Sequence, residues 1–230
     1  KYCIGVQYKH LFSDLMSYSR FVKLKPRLMI PTTLLLHILR GEETGLYFID
    51  STKLEICHKK RTSGNKVFKG LAEVGKSSYG WFLGFKLHMV INNKGQIIAV
   101  KITKGNVDDR EPVEELLKNL KGSAYGDKGY IKHNLFLRLY DKGLKFIYGI
   151  RSNMKNRLFT LFDKIMLRKR SLIESSFNIL KNQMNLEHTR HRSPVNFLVN
   201  TLSCLAAYCF KTTKKHLKTI KIEELKMINA

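Results

Sequence analysis

The chain has 230 residues, of which 42 are Lys or Arg and 18 are Asp or Glu, giving a formal net charge of +24 at neutral pH. With 43% hydrophobic residues it is too apolar for a basic disordered tail, and no apolar run approaches the roughly 20 residues that span a bilayer. So much like charge calls for a polyanionic partner, with nucleic acid ahead of an anionic membrane surface.

Residues 1–45 read as a helical and irregular segment. Phe12, Leu15, Met16 and Ser19 fall at helical spacing, Pro26 and Pro31 read as interruptions, and Thr33 to Leu39 predicts a short apolar helix ending near Gly41. The chain begins with Lys1 rather than Met, which leaves open whether a segment precedes it. Leu46 to Asp50 is an apolar and aromatic run that predicts a buried strand closed by an acid. Residues 53–80 are basic, with Glu55 and Glu73 their sole acids.

The clearest strand follows. Leu83, Phe85, Leu87, Met89 and Ile91 alternate strictly with their neighbours, Asn92 to Gly95 supply a turn, and Ile98, Val100 and Ile102 alternate again. This pattern predicts an antiparallel hairpin. Asp108 and Asp109 suit the start of a helix whose apolar face is Val113, Leu116, Leu117 and Leu120, with Gly122 as its stop. Ser123 to Asp127 reads as a second short strand closed by an acid. A helix around Leu135, Phe136 and Leu139 then ends at Gly143, and Leu144 to Ile150 reads as a strand. After a basic connector (151–170) come helices over 171–186 and 194–210, the latter opened by Ser193-Pro194, and then a basic tail (211–230). Antiparallel strands first and strand–helix alternation afterwards predict an α/β fold, a mixed sheet flanked by helices, spanning residues 46–210.

In a chain so short of acids, their placement carries information. Asp50 and Asp127 each close a strand, and Glu174 borders a helical packing stripe of Ile173, Phe177, Leu180 and Met184. Arg170 and Lys181, four before and seven after Glu174, share its face at 3.6 residues per turn. Gathered carboxylates repel unless cations neutralise them, and hard Mg²⁺ or Mn²⁺ does so with oxygen ligands. Two such ions about 3.5–4 Å apart serve phosphoryl transfer, with Arg and Lys free to hold the phosphodiester backbone.

These residues resemble the three acidic boxes of bacterial insertion-sequence DDE transposases, most nearly the insertion sequence 982 group. The boxes are Phe48-Ile49-Asp50-Ser51-Thr52, Tyr125-Gly126-Asp127-Lys128-Gly129-Tyr130, and Arg170, Glu174 and Lys181 at REK spacing. Gly84-Phe85-Lys86-Leu87-His88 and Thr103 to Asp109 extend the resemblance, which covers roughly residues 46–210. It implies an RNase H-like fold and Mg²⁺- or Mn²⁺-dependent cleavage and strand transfer, with Asp50, Asp127 and Glu174 as ligands of two ions. It further implies double-stranded DNA partners (element terminal inverted repeats and target DNA), a homodimer in a synaptic complex, no membrane, and a bacterial cytoplasmic site at the nucleoid. The Tyr that related transposases often carry three residues before the Arg of the third box is Leu167 here, so its role does not carry over.

Other readings of the same residues stay open. Asp50 suits a turn or helix cap after a strand, and Gly126-Asp127-Lys128-Gly129 is an ordinary turn composition. Ser171-Leu172-Ile173-Glu174 matches a capping box, which would leave Arg170 outside the helix. Lys60 and Arg61 in the basic stretch, Lys128 beside Asp127, and the turn His188, Arg190, His191, Arg192 read as DNA-facing, with Phe68, Tyr79 and Trp81 as aromatic companions. His88 reads as structural. The scattered Cys3, Cys57, Cys204 and Cys209 point to a reduced intracellular protein, and Cys204 and Cys209 with His188 and His191 fit no standard zinc spacing. A nuclease that cleaves without joining, and an inactive remnant that only binds DNA, are the alternative functions.

Overall fold

Period-two alternation builds the centre of the molecule. The structure, a computed structural model, describes residues 10, 15–77, 80–130, 133–149, 159–187, 191–212 and 214. Strand β3 (Gly80–Asn92) pairs antiparallel with β1 (Leu46–His58) on one side, with Phe48 opposite Ile91. On its other side lie β4 (Ile97–Lys104), Leu87 opposite Ile102, and at its outer end β2 (Glu73–Ser77), Val74 opposite Leu83. Strand β5 (Gly122–Gly126) runs parallel to β1, and β6 (Leu144–Tyr148) parallel to β5. This mixed six-stranded sheet, an antiparallel hairpin joined to parallel strands, is the α/β architecture expected from the sequence.

Both faces are covered. One packs Phe48, Leu54 and Met89 against Ile173 and Phe177 of α6 (Ser171–Asn178), Leu180 of the turn that continues it, and Phe197, Leu205 and Tyr208 of α7 (Pro194–Phe210). The other packs Ile49 and Val90 against Val113 and Leu116 of α3 (Val113–Leu116) and Leu135 and Leu139 of α4 (His133–Asp141). Outside this, α1 (Tyr18–Leu24) leads into α2 (Met29–Ile38), which lies on α7. No helix among the described residues is long and apolar enough to cross a membrane.

Several elements differ from the sequence expectation. β1 does not stop at Asp50, because β3 keeps offering a partner: Asp50 faces Met89 and Leu54 faces Phe85, as far as an irregularity between Glu55 and Cys57. The helix before β5 is a single turn, closed where Asn119 adopts φ 66°, although Leu117 and Leu120 are still buried. Gly122 opens β5 rather than stopping a helix, and a side chain there would strike the Gly45 carbonyl. Pro31 lies in the first turn of α2, where a missing N–H costs no helical bond. The connector contains α5 (Leu161–Lys169), capped by Thr160, whose hydroxyl accepts from the Asp163 N–H at 3.1 Å. Phe12, Tyr79, 150–158, His188, Arg190 and most of the 211–230 tail lie outside the described residues.

Candidate active site

Parallel pairing sets two of the acids side by side. Phe48 of β1 lies opposite Tyr125 of β5, so Asp50 and Asp127, each two residues further on, stand at the level where β5 ends. The parallel pairing ends at Phe48 and Tyr125 while β1 itself runs on, so both acids lie just beyond the carboxyl end of β5, the usual ligand position in such sheets. Glu174 comes from α6, held on the sheet by buried Ile173, Phe177 and Leu180.

The three carboxylates meet around one guanidinium. Arg170, between α5 and α6, donates from Nη1 to Asp50 Oδ2 at 3.0 Å and from Nη2 to Glu174 Oε1 at 2.8 Å, with Asp127 Oδ1 at 4.0 Å. Asp50 Oδ1 also accepts the Ser51 N–H at 2.8 Å. Asp50 and Arg170 are about one-fifth exposed, whereas Asp127 and Glu174 are 54% exposed. Burial pushes the Asp50 carboxyl up to about 6, against the pull of Arg170 and the Ser51 N–H, and the charges of Asp127 and Glu174 add to the rise. Three carboxylates thus share a single guanidinium.

The capping alternative for Glu174 is not formed. Arg170 has helical dihedrals (φ −54°, ψ −23°) and no side chain caps α6, while Glu174 reaches back to Arg170. A capping residue needs an extended backbone, which this near-continuous α5–α6 junction denies.

Lys181 departs from the shared face. Beyond Asn178 the helix widens into a π turn, Ile179–Gln183, so a count at 3.6 residues per turn no longer holds. Lys181 instead pairs with Glu187 at 3.0 Å and, with Arg61 and Lys53, lines a cavity of about 690 Å³. Lys60 and Arg61 sit on the exposed turn after β1, and eight strand residues put its end roughly 26 Å from Asp50. Lys128 is exposed next to Asp127, its stem against Gly149. Arg192 is exposed, half-buried His191 stacks edge-on to Phe197, and Arg190 is outside the described residues. Phe68 is a core residue, packed on Phe85 and Phe197, not a surface aromatic. Cys204 is likewise buried, 2.9 Å from the Met184 carbonyl.

The partners of the groups beside this site were not readable from the sequence. Asp109 does not serve a helix start; it pairs with Lys86 at 3.1 Å and lies 3.9 Å from buried His88, whose imidazole bonds the Thr103 hydroxyl at 2.8 Å. Burial depresses His88 to about 4 and keeps it neutral. Tyr130, just past Asp127, is buried, and burial together with the charges of Asp50 and Asp109 holds its hydroxyl well above the usual range. Alternation along β3 does put Lys86 and His88 on one face, but nothing local points them at Asp109.

The donor set suits a hard divalent cation, because all three groups are carboxylates with oxygen donors. Among the described residues, though, no three His, Cys, Asp or Glu side chains are close enough together to hold an ion as they stand; Arg170 lies between them.

Comparison with known proteins bears on this site. Among solved structures, a piggyBac transposase synaptic complex with hairpin DNA is similar at 11% identity and a TM-score of 0.43, over 88% of this chain and 61% of that one. The chain thus spans about three-fifths of the length of that transposase. No curated protein matches. The transposase DDE domain family model matches residues 40–194, well over half of the chain. That span runs from before β1 through α6 and takes in Asp50, Asp127 and Glu174 in order, so the chain belongs to the transposase DDE domain family.

Proposed function

We propose that the chain is the catalytic core (residues 46–210) of a DNA transposase that cleaves element ends and joins them to target DNA. The observation that carries this reading is the meeting of carboxylates from β1, the end of β5 and α6 around Arg170. In that reading Asp50, Asp127 and Glu174 hold Mg²⁺ or Mn²⁺, with two ions the expected number. Such ions supply Lewis acidity and a bound water of lowered pKa.

The protein's own groups do the rest. Asp50, largely buried and raised to about 6, is half ionised at that pH and almost wholly ionised by pH 8. Arg170, released from the carboxylates, grips two phosphodiester oxygens in a bidentate fashion. Lys128, next to Asp127, holds the adjoining phosphate, while Lys60, Arg61, Lys181, Arg190 and Arg192 steer more distant duplex. Water attacks the phosphodiester at the element end, leaving a 3′-hydroxyl and a 5′-phosphate. That 3′-hydroxyl then attacks a target phosphodiester, which breaks as the new bond forms and frees a target 3′-hydroxyl. Two ends are handled by a homodimer on double-stranded DNA, at the bacterial nucleoid, as the enzyme of an element similar to the insertion sequence 982 group.

The test is a supercoiled plasmid carrying a pair of element ends, incubated with Mg²⁺ or Mn²⁺. The wild type is expected to give nicked and joined products, and Asp50→Asn, Asp127→Asn and Glu174→Gln to give none while still binding DNA. Nicking without joined product makes the chain a nuclease; binding without any metal-dependent nicking makes it an inactive remnant.

A further inference from the structure

The chain has one tryptophan, Trp81, and it is 49% exposed. It stands on β3 opposite Lys76 of the edge strand β2, and two ammonium groups lie over its ring: Lys59 Nζ at 4.7 Å and Lys76 Nζ at 5.7 Å from the centroid. An indole left half in water costs apolar exposure, and interior positions on β3 were available to it; neighbouring Phe82 is buried. From Trp81 and Lys76 a cleft of about 520 Å³ runs past Gly105 to Asp109, Arg110 and Gly129, ending two residues from Asp127. Its acids are matched: Asp109 pairs with Lys86, and Asp108 with Arg110. The remaining lining cation, Lys76, lies at the Trp81 end.

The combination favours one ligand class. A cleft of this volume is the size of a small-molecule site and does not enclose a duplex. An aromatic face flanked by ammonium groups holds a base by stacking and its phosphates by charge. A paired base hides both faces within the helix stack, so stacking on Trp81 needs an unpaired base. We propose that Trp81 is the stacking platform for an unpaired base of the DNA strand running from the acidic site, with Lys59 and Lys76 turning from the ring to its phosphates. This rests on the DNA reading above and adds a site to it: the protein prefers an end with a single-stranded extension to a blunt one.

Because Trp81 is the sole tryptophan, its emission reports this site alone. The full chain, without divalent metal, is titrated with three labelled DNAs of one sequence: single-stranded, duplex with a single-stranded extension, and blunt duplex. Anisotropy measures binding while tryptophan emission is followed in parallel. Emission should be quenched by the first two and little changed by the blunt duplex. Extended duplex should bind about tenfold tighter than blunt, a preference lost in Trp81→Ala and kept in Trp81→Phe. DNA binding with unchanged emission, equal quenching by blunt duplex, or a preference that survives Trp81→Ala would each overturn the proposal and leave the transposase reading standing. Absence of DNA binding by anisotropy would sink both.

Discussion

Asp50 shows how a carboxylate can be costly for folding when burial outweighs its ion pair. Its carboxyl ordinarily titrates near 3.8, and burial raises it to about 6 in the folded chain. Between those values the folded state binds more protons than the unfolded one, so this group's contribution to stability falls as pH rises from 4 to 6 and stays low above. A shift of about two units corresponds to roughly 3 kcal/mol at most, and Asp50→Asn forfeits part of that by losing the Arg170 bond. The expected net gain for Asp50→Asn in metal-free buffer at pH 8 is about 1–2 kcal/mol, or a Tm rise of roughly 2–8 °C. The gain should shrink as pH falls from 6 to 4 and vanish only below about pH 4, where Asp50 is protonated in the folded and unfolded chain alike; a variant less stable than wild type at pH 8 would refute the account. Arg170→Ala should do the reverse, lowering Tm at pH 8 by leaving a half-buried carboxylate unpaired. In an Asp50→Asn background the same change should cost much less, which a double-mutant melting cycle reads directly. His88 titrates in the opposite sense: depressed to about 4, it loses stability as pH falls from 6.5.

Among the elements, the hairpin and the two long helices are joined by few but specific contacts. Tyr208 of α7 buries its hydroxyl 2.7 Å from the Gly95 carbonyl, in the turn between β3 and β4, and 2.9 Å from Ser176 Oγ on α6. Tyr208→Phe keeps the ring and strands that carbonyl, so it should cost about 1–3 kcal/mol in urea unfolding with an unchanged m value. Gly84 of β3 has a stricter reason to be glycine: a Cβ there would sit 2.1 Å from the Leu54 carbonyl oxygen of β1. Gly84→Ala must push β1 and β3 apart just before the irregularity at Glu55, at a cost of about 1–3 kcal/mol or more. A melting curve within 0.5 kcal/mol of wild type would show that the strands yield there easily.

For the whole molecule, a charge of +24 and a small acidic centre set the expected behaviour toward DNA. If several of the exposed cations meet phosphates, the affinity for duplex should fall steeply with salt, with a log–log slope of roughly −4 to −6 between 50 and 200 mM. A slope near zero would mean that the positive charge serves something other than DNA. Much of this was readable without coordinates. Strict alternation over 83–91 and 98–102 determined the hairpin, the helical stripe Ile173, Phe177, Leu180 determined which side of α6 is buried, and Ser193-Pro194 marked the start of α7. Those features are local, because side-chain period and capping chemistry depend on a few neighbouring residues. Tertiary structure decided what depends on partners distant in the chain. β1 runs past Asp50 because β3 is there to pair with it, and Lys181 leaves the acidic group where the helix widens at Ile179. Asp109 turns to Lys86 instead of a helix end, and Asp50, Asp127 and Glu174 converge on Arg170. The sequence could supply acids and cations in the right order, but pairing register and a guanidinium between the carboxylates are properties of the folded chain.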